Sequence, residues 1–338
     1  MTAFLARRIV LAVGVLAAVS FGSFALMATK FSSQCTSQFT PPGVANPPLA
    51  STVSQSASLY WAWVKGIPSG RSFGVVCGGE TTSQVWPAFA HTAALLGATA
   101  LIVVVVALAL GTLAASRAGS LWDTGLRGFS YAAWAVPPFL LAILLQSLLR
   151  WGGHHSIHWF SVYGWPASCL SGTGAFYPCG PTGGTAHHVL EIVRALTLPA
   201  LALAVAFTGL HSRYLRSSLL VALNAPYTTT ARAKGLPERK VVLRHALRNS
   251  LATFTSALLL DFGAIFGAAL AVDTVFGLNG LVSLLLIEVG GVGGGDGPRY
   301  LNPYAIETLL ATAALLVIAA SVVAEISVAA LDPRVRLR

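Results

Sequence analysis

Few side chains in this sequence are suited to chemistry, and they are scattered. His154, His155 and His158 form the stretch HHSIH, whose imidazoles could bind nickel or zinc. Their spacing matches no fixed ligand geometry, so a polar loop with incidental histidines is the alternative, and we predict no metal site. Asp261 is the one acid deep inside an apolar run. It could line a transport path, or it could be satisfied between packed helices.

Three kinds of enzyme site find no support in the sequence. It contains no Gly-Lys dipeptide, so a phosphate-cradling loop of the G-x-x-x-x-G-K-[ST] type cannot form. It also contains no H-E-x-x-H, and no Ser/His arrangement faces across predicted helices. We therefore predict a protein without catalytic residues, whose energy source, if it has one, resides in another chain.

The composition indicates a membrane protein. Charged residues make up 9% of the chain, against about 25% in soluble domains, and the mean hydropathy is +0.73. A helical span needs about 20 apolar residues. Six runs meet that length, so we predict an all-α polytopic membrane protein with six transmembrane helices: Ile9–Ala28, Phe89–Ala115, Gly128–Leu149, Ala195–Leu210 with a start near Val189, Ser250–Val272 and Tyr304–Leu331.

The distribution of lysine and arginine predicts the orientation. With the N-terminus inside, fifteen of the 21 basic residues fall on the inner side and six on the outer side. Both termini are then cytoplasmic, and the first span is a retained anchor, although a cleaved signal peptide is the alternative. The net charge of +10 follows from this bias and from attraction to anionic membrane lipid, so no nucleic-acid partner is predicted.

This topology divides the chain into segments. Residues 1–29 are the first helix with its cytoplasmic N-terminus, residues 30–86 form an extracytoplasmic loop, and residues 87–338 form a core of five helices. The apolar run at 277–289 is too short to span and predicts a short outer or re-entrant helix. The core therefore contains three further segments: an outer loop at 151–188, a cytoplasmic loop at 212–249, and a short outer helix with its loop at 277–303.

All four cysteines fall in the two long outer loops, although the topology was derived without them. An oxidising outer face permits disulfides. Three connectivities are possible for four cysteines. Because each pair lies within one loop, we predict the bonds Cys35–Cys77 and Cys169–Cys179.

The cytoplasmic loop concentrates charge in the stretch YTTTARAKGLPERKVVLRHALRN, residues 227–249. We predict a short helix over Tyr227–Lys234 with threonine caps at Thr228–Thr230. Gly235 would end it in a left-handed conformation, and Pro237 would begin the next helix with Glu238 at its positive end. Topology and lipid attraction would explain the charge alone. They do not explain the small residues that precede Leu-Pro, which let another surface approach the backbone: Ala231, Ala233 and Gly235.

Two strings in this loop carry a resemblance to a known family. T-A-R-A-K-G-L stands at Thr230–Leu236 and R-H-A-L-R-N at Arg244–Asn249. They resemble the coupling loop of ABC importer permeases, in the dipeptide/oligopeptide/nickel branch of the DppB/OppB type. Asp273–Leu281, which reads DTVFGLNGL, is similar to that branch's E-T-V-F-x-x-P-G-L segment, with Asp273 in place of Glu and Asn279 in place of Pro.

The resemblance implies a fold, a function and partners. It implies a type I importer permease in the cytoplasmic membrane of a prokaryote, without a cofactor of its own, that moves di- or oligopeptides by alternating access. The partners would be a homologous second permease, an extracytoplasmic binding protein and two ABC ATPase subunits that bind ATP and Mg²⁺. The ATPase-coupling residues would be Tyr227, Thr230, Ala231, Arg232, Ala233, Lys234, Gly235 and Leu236.

Two functions remain open beside peptide import, one within the resemblance and one from another class of transporter. A nickel or metal-chelate permease has HHSIH as its only support. An ion-coupled secondary transporter would need Asp261 as its coupling acid. The path itself is expected along the second, third and fifth spans.

Overall fold

The structure is a computed structural model of the 338-residue chain. It describes residues 2–30, 50–66, 75–76, 79–151, 168–170, 176–178, 185–290 and 303–331. Cys35, Cys77 and Cys179 lie outside these ranges, as does the HHSIH stretch, and Cys169 is described by its backbone alone. The two predicted disulfides therefore stay predictions.

Helices form nearly all of the described regular structure. In chain order they are α1 Thr2–Lys30, α2 Val53–Gly66, α3 Thr81–Ser116, α4 Leu121–Ala135, α5 Pro138–Trp151, α6 Thr185–Leu223, α7 Pro226–Ala233, α8 Glu238–Lys240, a π-helical segment Val241–Ala246, α9 Leu247–Leu260, α10 Phe262–Phe276, α11 Leu281–Gly290 and α12 Pro303–Leu331. The described strands are two short antiparallel pairs, which the all-α prediction did not include. β1 Val75–Val76 pairs with β2 Gly79–Glu80, and β3 Ser168–Leu170 pairs with β4 Phe176–Pro178, with Cys169 opposite Tyr177.

Three described helices are long and apolar enough to cross a membrane, and counting each of two bent helix pairs as one span gives five. The three lie in α3, α6 and α12, and the bent pairs are α4 with α5 and α8–α9 with α10. The described apolar part of α1, Val13–Thr29, falls short of the length test. Six spans and cytoplasmic termini therefore stay predictions. The short helix expected after residue 277 is present as α11, with ten residues.

The third predicted span is broken, whereas the sequence predicted one continuous helix over 128–149. The axes of α4 and α5 meet at 92°. Pro137 and Pro138 cause the break, because proline lacks an N–H and forces the preceding residue out of the helical conformation. Val136 accordingly is extended, with φ −89° and ψ 120°.

The fifth predicted span is also bent, by 48°, at Asp261. This residue separates α9 from α10, with φ −85° and ψ −4°. The one acid of the apolar run therefore lies at the bend of the span rather than within a regular helix.

The chain divides into two compact units. The first contains residues 1–92 and 279–318. Glu307 of α12 is fully buried in this unit, and its carboxylate accepts hydrogen bonds from Ser20 at 2.6 Å and Ser23 at 2.7 Å. Tyr60 of α2 donates to Ser20 in turn. These bonds satisfy a carboxyl group that burial would otherwise penalise, and they join α1, α2 and α12.

The second unit contains residues 93–278 and 319–338. Its core is apolar and draws on α3, α5, α6 and α10, with Val103, Leu203, Phe207 and Phe276 among its most buried side chains. A second buried cluster, which includes Leu219, Val242 and Ala246, joins the end of α6 to the π-helical segment. These two clusters position the loop that precedes α9.

Close packing between α4 and α6 depends on Gly209. A Cβ at this position would lie 2.7 Å from the carbonyl oxygen of Ser130 and 3.2 Å from the Cβ of Ala133. Small residues at helix interfaces let membrane helices approach closely. The absence of a side chain at Gly209 therefore lets α4 and α6 lie this close together.

We expect Gly209→Ala to destabilise the protein by about 1–3 kcal/mol, because the added methyl group has no space. Gly97→Ala on α3 is the matched control, because a Cβ there meets no atom within 4 Å. Thermal unfolding of both variants in detergent measures the difference. Equal stability of the two variants would contradict this account of the interface.

Candidate functional site

The candidate site is the segment from Leu223, where α6 ends, to Leu247, where α9 begins. α7 begins at Pro226, with Ala225 as the residue before its first turn and no side-chain cap. The prediction that Thr228–Thr230 cap this helix is therefore wrong. Pro226 occupies the first helical position, where its missing N–H costs nothing, so the threonines lie inside the helix.

The threonine hydroxyls bond carbonyl groups instead. The hydroxyl of Thr228 is buried and lies 2.6 Å from the carbonyl oxygen of Ala225, 3.0 Å from that of Leu223 and 3.2 Å from that of Ala222. The last carbonyls of a helix have no partner within the helix. Thr228 thus supplies a donor to the C-terminal end of α6 and ties α7 to it.

Gly235 ends α7 as predicted. It has φ +75°, in the left-handed region. Its N–H donates to the carbonyl of Arg232 at 2.9 Å, and the N–H of Leu236 donates to that of Ala231 at 3.4 Å. These two bonds form a Schellman motif. Pro237 and Glu238 then begin α8, also as predicted.

The three small residues of the loop do not share one surface. Ala231 is buried, with 6% of its surface exposed, and lies on the same inward face as Thr228. Ala233 and Gly235 are exposed. A partner protein could therefore contact Ala233 and Gly235 directly, whereas Ala231 packs inside the loop. The docking role itself stays a prediction.

Arg232 is bound within the loop. Its Nε and Nη2 donate to the two carboxylate oxygens of Glu238, at 3.0 Å and 2.7 Å, and its Nη1 donates to the carbonyl of Leu223 at 3.1 Å. The Glu238 carboxylate raises the pKa of the Arg232 guanidinium, mainly through this hydrogen bond. An acidic residue on a partner protein would therefore have to compete with Glu238 for Arg232. Lys234 is exposed and forms no ion pair with a described acid.

Further contacts join α7 to the fifth predicted span. The side-chain amide of Asn249, on α9, donates to the hydroxyl of Tyr227 at 3.1 Å. Between α8 and α9 the chain forms six residues of π-helix, Val241–Ala246. π-Helical turns are rare in proteins as a whole, and many of those that occur lie at functional sites. α7 is thus connected to both α6 and α9 by specific bonds.

We expect Thr228→Val to lower stability by about 1 kcal/mol, because the carbonyls at the end of α6 would lose a buried donor. Thr229→Val is the matched control, since Thr229 is exposed and its hydroxyl has no bond to another described residue. Thermal unfolding in detergent compares the two. A larger loss for Thr229→Val would show that Thr228 does not hold α7 against α6.

The sequence did not reveal a buried ion pair near this segment. Asp123 of α4 accepts two hydrogen bonds from Arg216 of α6, at 2.6 Å from Nε and 2.7 Å from Nη2. The N–H of Gly119 donates to the same carboxylate at 3.0 Å. Arg127 lies farther away, with its Nε 3.8 Å from Asp123. The pair joins the start of α4 to α6, seven residues before α6 ends.

Asp261 lies opposite a histidine that sequence reasoning also missed. The Nε2 of His211 is 3.5 Å from the Oδ2 of Asp261, and neither atom has a hydrogen-bond partner among the described residues. The Nδ1 of His211 lies 2.8 Å from the carbonyl of Phe207, which fixes the ring. Asp261 therefore faces His211, a polar residue on α6, and 27% of the Asp261 side chain is exposed. Both interpretations, path lining and packing, remain open.

Among the described residues, no group of three or more metal-ligating side chains could hold a metal ion. HHSIH lies outside those residues, so the structure leaves the metal hypothesis untested.

The comparison with known proteins decides the family. The family described as "binding-protein-dependent transport system inner membrane component" matches residues 107–337. The chain belongs to this family.

The matched region of this permease includes α4 to α12 and the whole of the candidate site. Two peptide permeases align over 82% of the chain and 79% of their own length: a putative peptide permease protein of Brucella suis biovar 1, 28% identical, and the oligopeptide transport system permease protein AppB of Bacillus subtilis, 27% identical. OppB of Salmonella typhimurium is 27% identical over 61% of the chain and 59% of its own length. The permease is thus a multi-pass protein of the cytoplasmic membrane and a component of a transport system.

Proposed function

We propose that this permease is one of two membrane subunits of an ABC importer for di- or oligopeptides, driven by separate ATPase subunits that dock on α7. The observation that carries the proposal is the geometry of the candidate site. α7 is a short helix with an exposed outer face, it ends at a left-handed glycine, and buried bonds tie it to α6. A helix held in this way suits the transmission of force from a docked partner.

The transmission route follows from the contacts of α7. Thr228 and Arg232 bond the last carbonyls of α6, and Tyr227 accepts a bond from α9. A displacement of α7 would therefore move the ends of both long helices together. Alternating access by such a rigid-body change requires two stable arrangements of the packed helices.

The docking surface is basic. The exposed face of α7 and the turn after it carry Lys234, and α8 with the following segment adds further exposed basic residues: Arg239, Lys240, Arg244 and Arg248. We expect acidic residues on the ATPase surface that receives α7. Complementary charge of this kind accelerates association and orients the partner.

The cargo is proposed from the relatives' names. AppB and OppB are named as oligopeptide transport system permeases, and AppB aligns over 82% of this chain. We place the path along α3, α4–α5 and α9–α10, with Asp261 at its bend. An extracytoplasmic binding protein would deliver the peptide, and a second, homologous permease would complete the path.

Purification of the tagged permease from its native host in mild detergent, followed by reconstitution of the complex in liposomes, tests the proposal. We expect two ATPases, a second permease and a binding protein to copurify, and labelled dipeptide or oligopeptide to enter only with ATP. Uptake of nickel but not of peptides would replace the proposed cargo. Uptake by the permease alone, driven by an ion gradient, would overturn the whole assignment.

A further inference from the structure

One guanidinium group connects three helices of the candidate site. Arg232 lies in the last turn of α7, and each of its three side-chain nitrogens donates a hydrogen bond within the chain. Nε and Nη2 reach the two carboxylate oxygens of Glu238, the first residue of α8. Nη1 reaches the carbonyl oxygen of Leu223, the last residue of α6. The side chain therefore joins α6, α7 and α8 across the left-handed turn at Gly235.

The geometry of the Arg232–Glu238 pair fixes orientation as well as distance. A planar guanidinium that donates two hydrogen bonds to both oxygens of one carboxylate has little freedom to rotate. Exposed ion pairs contribute little to stability in general, because water solvates both charges. The side chains of Arg232 and Glu238 are 41% and 60% exposed, so we expect the pair to add little to the stability of the fold. Its main effect is then to set the position of α7 relative to α8.

Other basic side chains of the loop differ from Arg232 in this respect. Lys234 lies two residues later, is exposed and forms no ion pair with a described acid. Arg239 is also exposed and likewise has no described acid as its partner. An acid on a partner protein could therefore pair with Lys234 or Arg239 without breaking a bond inside the loop. Pairing with Arg232 would first require the displacement of Glu238.

We propose that Arg232 is a positioning residue, which transmits the movement of α7 to α6, and that it is not a contact for the partner protein. The inference rests on the proposed docking of an ATPase subunit on α7. The carbonyl of Leu223 also accepts the hydroxyl of Thr228 at 3.0 Å, so α7 is held to α6 through both its first turn and its last. Without Arg232, the last turn of α7 would be free to move away from α6 while the ATPase stayed docked. ATP would then be hydrolysed without a matching displacement of α6.

The number of ATP molecules hydrolysed per peptide imported tests this role. Both quantities are measured on the full complex in liposomes, with radiolabelled trialanine as the peptide. Arg232→Gln should leave the ATPase subunits bound and raise the ratio about fivefold, the change in an equilibrium that corresponds to the upper end of the range for exposed ion pairs. Lys234→Gln is the matched comparison, because it removes the same charge two residues away. It should lower the amount of ATPase retained and leave the ratio unchanged.

A charge swap, Arg232→Glu combined with Glu238→Arg, separates an internal pair from a contact with a partner. The swap restores opposite charges between α7 and α8, and it reverses the charge that a partner would meet at residue 232. We expect the swap to recover part of the coupling that Arg232→Gln loses. Recovery should stay incomplete, because a carboxylate has no proton to donate to the carbonyl of Leu223.

Two results would overturn the inference and leave the proposed function intact. One is a loss of ATPase retention in Arg232→Gln equal to that in Lys234→Gln, with an unchanged ratio, which would make Arg232 a docking contact. The other comes from thermal unfolding of Arg232→Gln, Glu238→Gln and the double variant in detergent. Their losses should not add, because each single variant breaks the same contact, and additive losses would show that the pair does not form. Import by the wild-type permease without ATP would instead overturn the proposed function, and this inference with it.

Discussion

Replacing Gly235 with arginine is expected to lower uptake strongly while the permease remains folded and inserted. Gly235 has φ +75° at the end of α7, and a Cβ there meets no atom within 4 Å. The cost within the chain is therefore limited to the left-handed conformation, about 1–2 kcal/mol for a residue with a side chain. A long charged side chain would, however, project from the surface that we propose the ATPase contacts.

We expect uptake to fall about tenfold or more, which corresponds to about 1.4 kcal/mol of lost docking energy. Gly235→Asn is the control, because asparagine tolerates the left-handed conformation and is short. Initial rates of peptide uptake, normalised to the amount of membrane-inserted protein, compare the variants. Normal uptake by Gly235→Arg would count against the docking role, and an equal loss in Gly235→Asn would assign the effect to the backbone.

Asp123→Asn is expected to be the most destabilising substitution considered for the second unit. Asp123 is fully buried, and its carboxylate binds Arg216 through two hydrogen bonds. Removing Asp123 leaves the Arg216 guanidinium without its partner, and because only 20% of the Arg216 side chain is exposed this costs about 3 kcal/mol, the lower end of the range for buried pairs. Thermal unfolding of the purified protein in detergent measures the loss, and the yield of inserted protein should fall with it.

Arg127→Gln is the comparison for this prediction. Arg127 approaches the same carboxylate only to 3.8 Å and has 46% of its side chain exposed, so its removal should cost about 1 kcal/mol or less. The double variant Asp123→Asn with Arg216→Gln should recover part of the stability, since no buried charge then lacks its partner. If Asp123→Asn were no more destabilising than Arg127→Gln, the pair would not hold α4 against α6.

The sequence correctly predicted those helices whose position depends on short stretches of sequence, such as an apolar run, a glycine stop or a proline start. Long apolar runs located α3, α6 and α12, and Gly235, Pro237 and Glu238 located the end of α7 and the start of α8 correctly. The apolar run at 128–149 was long enough for a span, so it was predicted as one continuous helix although Pro137 and Pro138 break it. The threonine caps were predicted wrongly, because Pro226 takes the first helical position.

The contacts between distant residues could not be predicted. Asp123 and Arg216 are 93 residues apart, and no periodicity relates an acid in α4 to an arginine in α6. The same holds for His211 and Asp261, which are 50 residues apart and meet where the fifth predicted span bends. Ala231 and Ala233 looked equivalent in the small-residue pattern, and only the direction of α7 separates the buried one from the exposed one.

Site-directed cross-linking at α7 tests the central claim most directly. A cysteine in place of Ala233, which is exposed, should cross-link to the copurified ATPase subunit, and ATP should change the yield. A cysteine in place of Ala231, which is buried, should give little product under the same conditions. A complex that contains the ATPase yet shows no cross-link at residue 233 would contradict the proposal that α7 couples this permease to its energy source.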